Sequence, residues 1–413
     1  MKYLISLSAF AYCVLCHSVQ AQTKTKEQLK TDSLFMEWDK PTSPGCALGV
    51  IKDGTFVYKR GYGMANLEQN VPISPASVFD IGSTSKQFAA TCIVLLAQKG
   101  KLSIDDEVRK YVPELPDYGN PITIRHILTH TSGLRDYPSL MELAGYQLET
   151  VTGRQEALEI ITKQKRLNFN PGDEWLYSNT GFFLASVIVE RVSGKTLNEF
   201  ATENIFTPLG MKNTLFLDDH TRIVPNRAIG YDHRDSGGFK TSMSNWEQTG
   251  DGAVQTSVED LKLWDDNFYD PKVGGPGLIQ ALTTVGKLNN GEPLDYGFGL
   301  RMSKYKGLDR ISHGGAWAGY RAELARFPKE KLSVICLCNL GSTNPSGLAM
   351  QVADIYLADK IEKPKKELTA GKKEKEYKIK TSDLARYAGS FRRPADEFVR
   401  NIEVKDGKLF YVR

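Results

Sequence analysis

The residues best suited to covalent chemistry are Ser83 and Lys86, which lie three positions apart at the start of a predicted helix. A long apolar run over 89–97 follows them, so this helix is predicted to be buried. Residues three apart share one helix face, which brings the Ser83 hydroxyl next to the Lys86 amine. A lysine beside apolar surface can lose its charge near neutral pH and take the hydroxyl proton. The pair therefore predicts nucleophilic catalysis.

A second Ser-x-x-Lys match runs from Ser303 to Lys306. It follows a strand-like alternation and has no apolar helix behind it. A single pair of this kind is more often part of a solvated helix face than a catalytic site. The assignment to Ser83 therefore depends on further motifs downstream.

The second candidate element is the Tyr-x-Asn sequence of Tyr177 and Asn179. A cationic lysine nearby would favour the phenolate of Tyr177 and let it relay protons. Asn179 offers both a donor and an acceptor to a substrate amide. The same pattern occurs at Tyr118 and Asn120 in a loop rich in proline and glycine, so it does not identify a site alone. A core aromatic residue is an equal interpretation of Tyr177.

The third candidate element is the segment from His313 to Trp317. Gly314 and Gly315 would let a substrate backbone approach the edge of a strand closely. His313 could supply a hydrogen-bond donor or a proton at that edge. The alternative interpretation is a glycine-rich turn with an exposed histidine.

Strand patterns at both ends of the chain flank a predominantly helical middle. Hairpins are predicted around 52–55 and 328–331, and the helical middle covers roughly 80–285. We therefore expect an α/β fold in which an antiparallel sheet, built from both chain ends, is flanked by helices and carries a large helical insert. Active sites favour such junctions.

Both termini extend beyond this unit. Residues 1–21 have a positive start, a short apolar stretch and small residues at the end, which is typical of a secretory signal peptide. The main domain is predicted over 22–359, a charged linker over 360–380, and the start of a C-terminal β module over 381–413. So short a module either packs on the main domain or belongs to a longer protein. We expect an exported protein, periplasmic or extracellular.

Composition narrows the classes of partner. The 413 residues are 41% hydrophobic with a net charge of +4, which is ordinary for a globular protein. Basic residues are scattered outside the charged linker, so no nucleic-acid partner is predicted. No segment after the signal peptide is long and apolar enough to cross a membrane. The expected partner is a small-molecule or peptide substrate, and the oligomeric state is open.

Neither cysteine nor histidine spacing predicts a disulfide framework, a metal site or a cofactor. The cysteines outside the signal peptide are expected to be buried free thiols. They are Cys46, Cys92, Cys336 and Cys338. His126 and His130 lie four positions apart without a third ligand, which disfavours a zinc site.

In this order, the three elements resemble the serine β-lactamase and penicillin-binding-protein superfamily. They are most similar to its branch of class C β-lactamases, D-alanyl-D-alanine carboxypeptidases and esterases, and phrases at 123–134 and 252–261 agree. The resemblance covers about 30–358 and implies a site between a flanked sheet and a helical domain. His126 and His130 fall in the first phrase, outside the three catalytic elements, and are expected to be structural.

The resemblance also implies roles for individual residues. Ser83 is expected to be the acyl-enzyme nucleophile, while Lys86 and Tyr177 share the base and acid work. Asn179 is expected to position the acyl side chain. The backbone amides of Ser83 and Ala316 would form the oxyanion hole.

The rest of the third element is expected to contact substrate, through Gly314, Gly315 and Trp317. Trp317 and Tyr320 would form an aromatic wall. His313 departs from the β-lactamases of this branch, which typically have lysine there. A histidine near its neutral form holds a carboxylate less strongly, and it is expected to gain charge below about pH 6.5.

This departure favours an esterase or a D-amino-acid peptidase or carboxypeptidase over the alternative of a true β-lactamase. A non-catalytic module that binds cell-wall peptides is an alternative of another class. Its mark would be the loss of Ser83, Lys86 or Tyr177, and all three residues are present.

Overall fold

The computed structural model describes residues 24–362, 380–392, 399–405 and 407–412. The predicted signal peptide and most of the predicted linker lie outside these ranges, so the domain boundaries stay predictions. Within the described ranges, no helix has the length and apolar character needed to span a bilayer.

Helices dominate the middle of the chain and strands dominate its ends. The α-helices of the described ranges are α1 (Lys26–Phe35), α2 (Lys86–Gln98), α3 (Ile124–Leu128), α4 (Tyr137–Leu143), α5 (Arg154–Thr162), α6 (Asn179–Ser193), α7 (Leu197–Ala201), α8 (Thr207–Leu209), α9 (Val258–Asp266), α10 (Gly275–Thr283) and α11 (Pro345–Tyr356). The strands are β1 (Cys46–Lys52), β2 (Thr55–Tyr62), β3 (Met64–Asn66), β4 (Val71–Pro72), β5 (Phe79–Asp80), β6 (Leu215–Phe216), β7 (Tyr231–His233), β8 (Phe239–Thr241), β9 (Val254–Thr256), β10 (Arg301–Tyr305), β11 (Leu308–Trp317), β12 (Tyr320–Phe327), β13 (Leu332–Cys338), β14 (Gly389–Arg392), β15 (Val399–Lys405) and β16 (Lys408–Val412). A 3-10 turn, Gly82–Ser85, leads directly into α2.

The main sheet has six antiparallel strands in the order β10-β11-β12-β13-β1-β2. Alternate residues of β1 face opposite sides, because side chains alternate along a strand. Leu48 and Val50 pack with α1 and α11, whereas Ala47 and Ile51 join the larger core that contains α2. Two buried faces explain the nearly unbroken apolar sequence of β1. The expected sheet from both chain ends is confirmed.

Helix α2 lies at the centre of the larger core. Its side chains from Lys86 to Leu96 are all buried, and it packs against α6. Phe88 contacts both Phe206 and Trp264 through their rings. An entirely buried helix places the Lys86 amine in a dry environment.

Two of the four cysteines differ from the expectation. Cys46 and Cys338 form a disulfide, whereas Cys92 and Cys336 are buried free thiols, so the prediction was wrong for one pair. Strands β1 and β13 pair with Cys46 directly opposite Cys338. This register joins residues 292 positions apart, which spacing along the chain does not reveal.

The described C-terminal residues include a small separate sheet. Strands β14, β15 and β16 are antiparallel neighbours, and β15 and β16 form a hairpin. The expected short C-terminal β segment is therefore present.

Candidate active site

Ser83 and Lys86 meet where the 3-10 turn enters α2. Lys86 Nζ lies 3.0 Å from Ser83 Oγ and donates to Asn179 Oδ1 at 2.8 Å. It also donates to the backbone oxygen of Asp251 at 2.6 Å. Three oxygen atoms therefore fix the amine beside the hydroxyl, as the spacing of the two residues predicted.

Burial favours the neutral form of the Lys86 amine. The side chain is completely buried, and this lowers its pKa to about 8. The carboxylates of Asp251 and Asp136 oppose the shift, because their negative charges favour the ammonium. A useful fraction of neutral amine is therefore available near neutral pH to accept a proton.

Tyr177 lies over the same amine, with Lys86 Nζ 4.9 Å from the centre of its ring. Burial raises the pKa of Tyr177, and the nearby Ser83 hydroxyl offsets only part of the rise, although no hydrogen bond of normal geometry joins the two. Tyr177 is therefore a neutral phenol. This corrects the expected phenolate, because burial outweighs the opposing effects of the Ser83 hydroxyl and the charge of Arg301.

Asn179 begins α6, with its side chain turned toward Lys86. Its backbone N–H donates to Asp136 Oδ1 at 2.7 Å, which places a carboxylate at the start of this helix. Because Asn179 Oδ1 accepts from Lys86, its amide nitrogen is left to donate. Asn179 lines the cavity above Ser83, so a substrate carbonyl can meet that donor.

The two predicted structural histidines fix local backbone. His126 Nδ1 accepts from the backbone N–H of Thr123 at the start of α3. His130 Nδ1 accepts from the backbone N–H of Ser178, and its ring packs 4.1 Å from that of Tyr177. His130 therefore lies directly behind the active-site tyrosine.

His313 is enclosed by its neighbours. Its Nδ1 lies 2.6 Å from Gly314 O, and its Nε2 lies 2.8 Å from Tyr296 Oη. A carbonyl only accepts, so Nδ1 carries the proton and Nε2 accepts from the tyrosine. Burial, followed by the charge of Lys86, lowers the pKa of His313 to about 3.

This placement corrects both expectations for His313. Both ring nitrogens are occupied, so His313 presents no free donor to a substrate. Its low pKa also means that the ring does not gain charge near pH 6.5, and it is not among the residues that line the cavity.

The two glycines after His313 pack against other parts of the chain and not against the cavity. A Cβ on Gly315 would lie 1.9 Å from Ile81 O, and one on Gly314 would lie 2.9 Å from Glu323 Oε2. Neither glycine lines the cavity, which corrects their expected contact with substrate. Gly315 is needed because β11 packs closely against the segment before Ser83, whereas Gly314 faces Glu323 on the other side of the strand.

The second half of β11 has a free edge that faces Ser83. Pairing with β10 ends at Ser312, and beyond it Thr84 Oγ1 donates to His313 O at 3.2 Å. A Cβ built on Gly82 would lie only 2.7 Å from the backbone nitrogen of Ala316. Ala316 therefore lies beside the nucleophile segment, as an oxyanion hole requires.

A cavity of about 1410 Å³ opens over Ser83. Of the predicted site residues it is lined by Ser83, Tyr177, Asn179, Ala316 and Trp317. Tyr320 also lines it, and Trp317 packs 5.4 Å from Trp246, so the aromatic wall is present and larger than expected. Further lining residues that sequence reasoning missed include Asp136, Arg227, Trp246, Asp251 and Arg301.

Arg301 places a cation near the third element. It pairs with Ser312 across β10 and β11, and its guanidinium lies 5.5 Å from the Trp175 ring. Asp295 shares its charge through an ion pair of 2.5 Å. Arg301 therefore places a positive charge in the cavity near His313, through a register that the sequence does not show.

Asp251 is the second important residue that was missed. Its carboxylate accepts from Tyr137 Oη at 3.1 and 3.2 Å. Burial raises its pKa to about 6, while the charge of Lys86 opposes the rise. A signal was present, since Asp251 lies between two glycines immediately before the phrase at 252–261.

Comparisons with known proteins identify the family of this chain. The chain matches the family model described as Beta-lactamase over residues 33–358. A D-aminopeptidase from Gluconobacter oxydans is 34% identical over 297 residues, which are 72% of this chain and 56% of that protein. Penicillin-binding protein 4* from Bacillus subtilis is 32% identical over 357 residues, 82% of this chain and 77% of that protein.

A solved structure shares the fold over nearly its whole length. The octameric penicillin-binding protein homologue from Pyrococcus abyssi superposes with a TM-score of 0.73 at 26% identity, covering 93% of this chain and 89% of that one. The chain spans little more than half the length of the D-aminopeptidase it matches. With its motifs in order and its site assembled, the chain belongs to the Beta-lactamase family of serine hydrolases.

Proposed function

We propose that this protein is an exported hydrolase that cleaves a bond next to a D-amino acid through an acyl-enzyme on Ser83. The observation that carries the proposal is the 3.0 Å contact between Lys86 Nζ and Ser83 Oγ. Because burial lowers the pKa of Lys86 to about 8, its neutral amine can take the hydroxyl proton during attack. The relatives named D-aminopeptidase and penicillin-binding protein support a D-amino-acid substrate.

In the proposed acylation, one proton leaves the Ser83 hydroxyl and one proton is delivered to the leaving group. Ser83 Oγ bonds to the carbonyl carbon while Lys86 takes the hydroxyl proton, and the carbonyl oxygen becomes an oxyanion facing the amides of Ser83 and Ala316. Tyr177, a neutral phenol, donates its proton to the leaving nitrogen or oxygen and recovers one from Lys86. The bond to the leaving group breaks, and a water then releases the acyl group by the reverse route.

Charges along the cavity support a peptide substrate with a free amino group. Asp136 and Asp251 line the cavity beside Asn179, where their carboxylates can attract an α-ammonium group. Arg301 offers the opposite charge to a leaving group that ends in a carboxylate. An aminopeptidase-type activity on short peptides uses both features.

The alternatives are less well supported. A β-lactam brings a carboxylate to the third element, where His313 is neutral and enclosed and Arg301 shares its charge with Asp295. A binding module has no need for a buried lysine held beside a serine. An esterase remains compatible with the proposed machinery, because esters have better leaving groups than amides.

The test compares hydrolysis rates of D- and L-amino-acid substrates, and of variants at the two candidate serines. Wild-type protein should hydrolyse D-alanine p-nitroanilide and a nitrophenyl ester, with little activity on the L-anilide or on penicillins. Ser83→Ala should abolish turnover, whereas Ser303→Ala should not, since Ser303 on β10 accepts a hydrogen bond from Arg310 Nε on β11 and does not line the cavity. Retained turnover in Ser83→Ala, or a preference for the L-anilide, would refute the proposal.

Export is proposed from residues 1–21. The disulfide between Cys46 and Cys338 supports it, because such crosslinks persist mainly in oxidising compartments. Fractionation of expressing cells with N-terminal sequencing should find a protein that begins near Gln22 outside the cytoplasm. Full-length protein in the cytoplasm would contradict this part of the proposal.

A further inference from the structure

The cavity extends along β11 on both sides of Ser83, so it has room for more of the substrate than the bond that is cleaved. Arg301 lies opposite Ser312 at one end, and Tyr320 lies opposite Trp317 at the other. Ser312 and Trp317 are five positions apart, which corresponds to about 17 Å along a strand. Arg301 and Tyr320 line the same cavity, so a substrate can contact both ends.

The position of the proton donor assigns a part of the substrate to each end. A group that protonates the leaving atom must lie within hydrogen-bond reach of it. Tyr177 lies near His313 and Trp175, on the side of Ser83 that leads to Arg301. The leaving group therefore extends toward Arg301, and the acyl side chain extends toward Trp317.

Arg227 is a cation at the acyl end with unused hydrogen-bonding capacity. It lines the cavity with Tyr320, and its Nε atom is buried without a hydrogen-bond partner. Across the described ranges, no carboxylate forms an ion pair with it within 4.0 Å. Asp80 is close enough for Arg227 to lower its pKa, against the larger effect of burial, which raises it.

Asp80 forms no ion pair with Arg227 within 4.0 Å, and its two oxygens accept from other groups. Asp80 Oδ1 accepts from the backbone N–H of Gly82, and Oδ2 accepts from Gln255 Nε2, both at 2.8 Å. Asp80 thus organises the turn that carries Ser83. The Tyr320 hydroxyl lies close enough to the Arg227 guanidinium to affect its own pKa, while the unpartnered Nε and the charge of Arg227 are left to interact with a ligand.

The backbone holds Arg227 at a fixed position relative to the nucleophile. Val78 N–H donates to Asn226 O at 2.9 Å, and Ala228 N–H donates to Val78 O at 2.8 Å. Tyr320 Oη also donates to Ala228 O at 2.5 Å. Val78 directly precedes β5 and the turn of Ser83, so little reorganisation is needed when a ligand binds.

Apolar walls lead from the nucleophile to this arginine. Trp317 and Trp246 pack against each other, and Leu217 lines the same cavity. An acyl side chain with a short aliphatic stem can pack on these surfaces while its end meets the guanidinium. Arginine recognises a carboxylate well, since its planar fork can donate two parallel hydrogen bonds.

We propose that Arg227 selects acyl groups whose side chain ends in a carboxylate, as in a D-glutamyl residue. This rests on the proposed function, because it assigns the acyl part of the same substrate. Hydrogen bonds to charged groups predict a preference of about 10- to 100-fold for D-glutamyl over the isosteric, neutral D-glutamine substrate.

The kinetic test uses the p-nitroanilides of D-glutamate and D-glutamine. Wild type should prefer the D-glutamate substrate in kcat/KM, and Arg227→Gln should bring the ratio close to one. Arg227→Lys should retain part of the preference, and Arg301→Gln should leave this ratio unchanged because it lies at the other end. A ratio between two substrates on the same preparation does not depend on the fraction of folded protein.

A binding test separates this proposal from the proposed function. Calorimetry with Ser83→Ala protein should find tighter binding of the dipeptide D-Glu-D-Ala than of D-Gln-D-Ala, and Arg227→Gln should remove the difference. Equal binding of the two dipeptides, or a preference that survives Arg227→Gln, overturns the role of Arg227. If wild type shows no turnover while the binding preference is present, only the hydrolase proposal is overturned.

Discussion

The Tyr296 hydroxyl lies 2.8 Å from His313 Nε2 and fixes this histidine as a neutral Nδ1–H tautomer. Both side chains are buried, and the other ring nitrogen donates to Gly314 O. A lysine at position 313 would present a charge to the substrate. His313 is neutral and bonds only to the protein, and the nearby positive charge in the cavity belongs to Arg301.

We predict that His313 does not titrate between pH 5.5 and 8.5 in the folded protein. Burial lowers its pKa to about 3, so the ring stays neutral throughout this range. Imidazole NMR signals assigned with a His313→Gln variant should show no midpoint there, whereas the urea-unfolded protein should titrate near pH 6.5. A midpoint between pH 5.5 and 8.5 in the folded protein would contradict the enclosed geometry.

Arg301 should read the charge of the leaving group. Arg301→Gln should lower kcat/KM for D-Ala-D-Ala relative to D-Ala-D-alaninamide by about 3- to 10-fold. The effect is modest because Asp295 shares the charge and the arginine is partly exposed. Arg301→Lys should retain most of the selectivity, and equal ratios in wild type and Arg301→Gln would exclude this role.

The pH dependence of activity should follow the Lys86 amine. In wild type, kcat/KM should rise with pH through about 8, as Lys86 loses its proton. Asp251→Asn removes a negative charge that raises this pKa, so the rise should move to lower pH, on the order of one pH unit. Glu142→Gln, which removes another carboxylate of the cavity, is the matched control and should not move it. An unchanged profile in Asp251→Asn would argue against Lys86 as the titrating base.

The local parts of the site could be predicted from the sequence. Ser83 and Lys86 lie within one helical turn, so their contact follows from helix geometry alone. The hairpins of the main sheet are also local, since each strand follows its partner after a short turn. The placement of Ala316 beside Ser83 came from the resemblance to a known family.

The remaining features depend on tertiary packing. The contact of Arg301 with the site depends on its register opposite Ser312, and the contact of Asp251 with Lys86 depends on how separate segments pack. Protonation states follow burial, which is why the expectations for Tyr177 and His313 had the wrong electrostatics. A side-chain type suggests a chemistry, whereas its surroundings decide which form is present.

The disulfide should contribute strongly to stability. Because Cys46 and Cys338 close a long loop, a reductant should lower the free energy of unfolding of wild type by about 2–4 kcal/mol. Cys336→Ala should respond to the reductant in the same way, since Cys336 is a buried free thiol, whereas Cys46→Ala should not respond. Denaturant unfolding with and without reductant measures this. A reductant effect of equal size in Cys46→Ala would show that another bond is responsible.

The two glycines of the third element provide a matched pair that tests the oxyanion geometry. Gly315→Ala places a methyl group 1.9 Å from the backbone oxygen of Ile81, so β11 and the turn of Ser83 must separate. Displacing Ala316 from Ser83 by about 1 Å should lower kcat on the order of 10²-fold. Gly314→Ala points to the other face, where its methyl group meets the end of the Glu323 side chain, and should cost much less activity. Both variants should be compared in esterase assays after their folding is checked by circular dichroism. Equal losses in two folded variants would show that the close approach of Gly315 to Ile81 does not set the position of the catalytic amides.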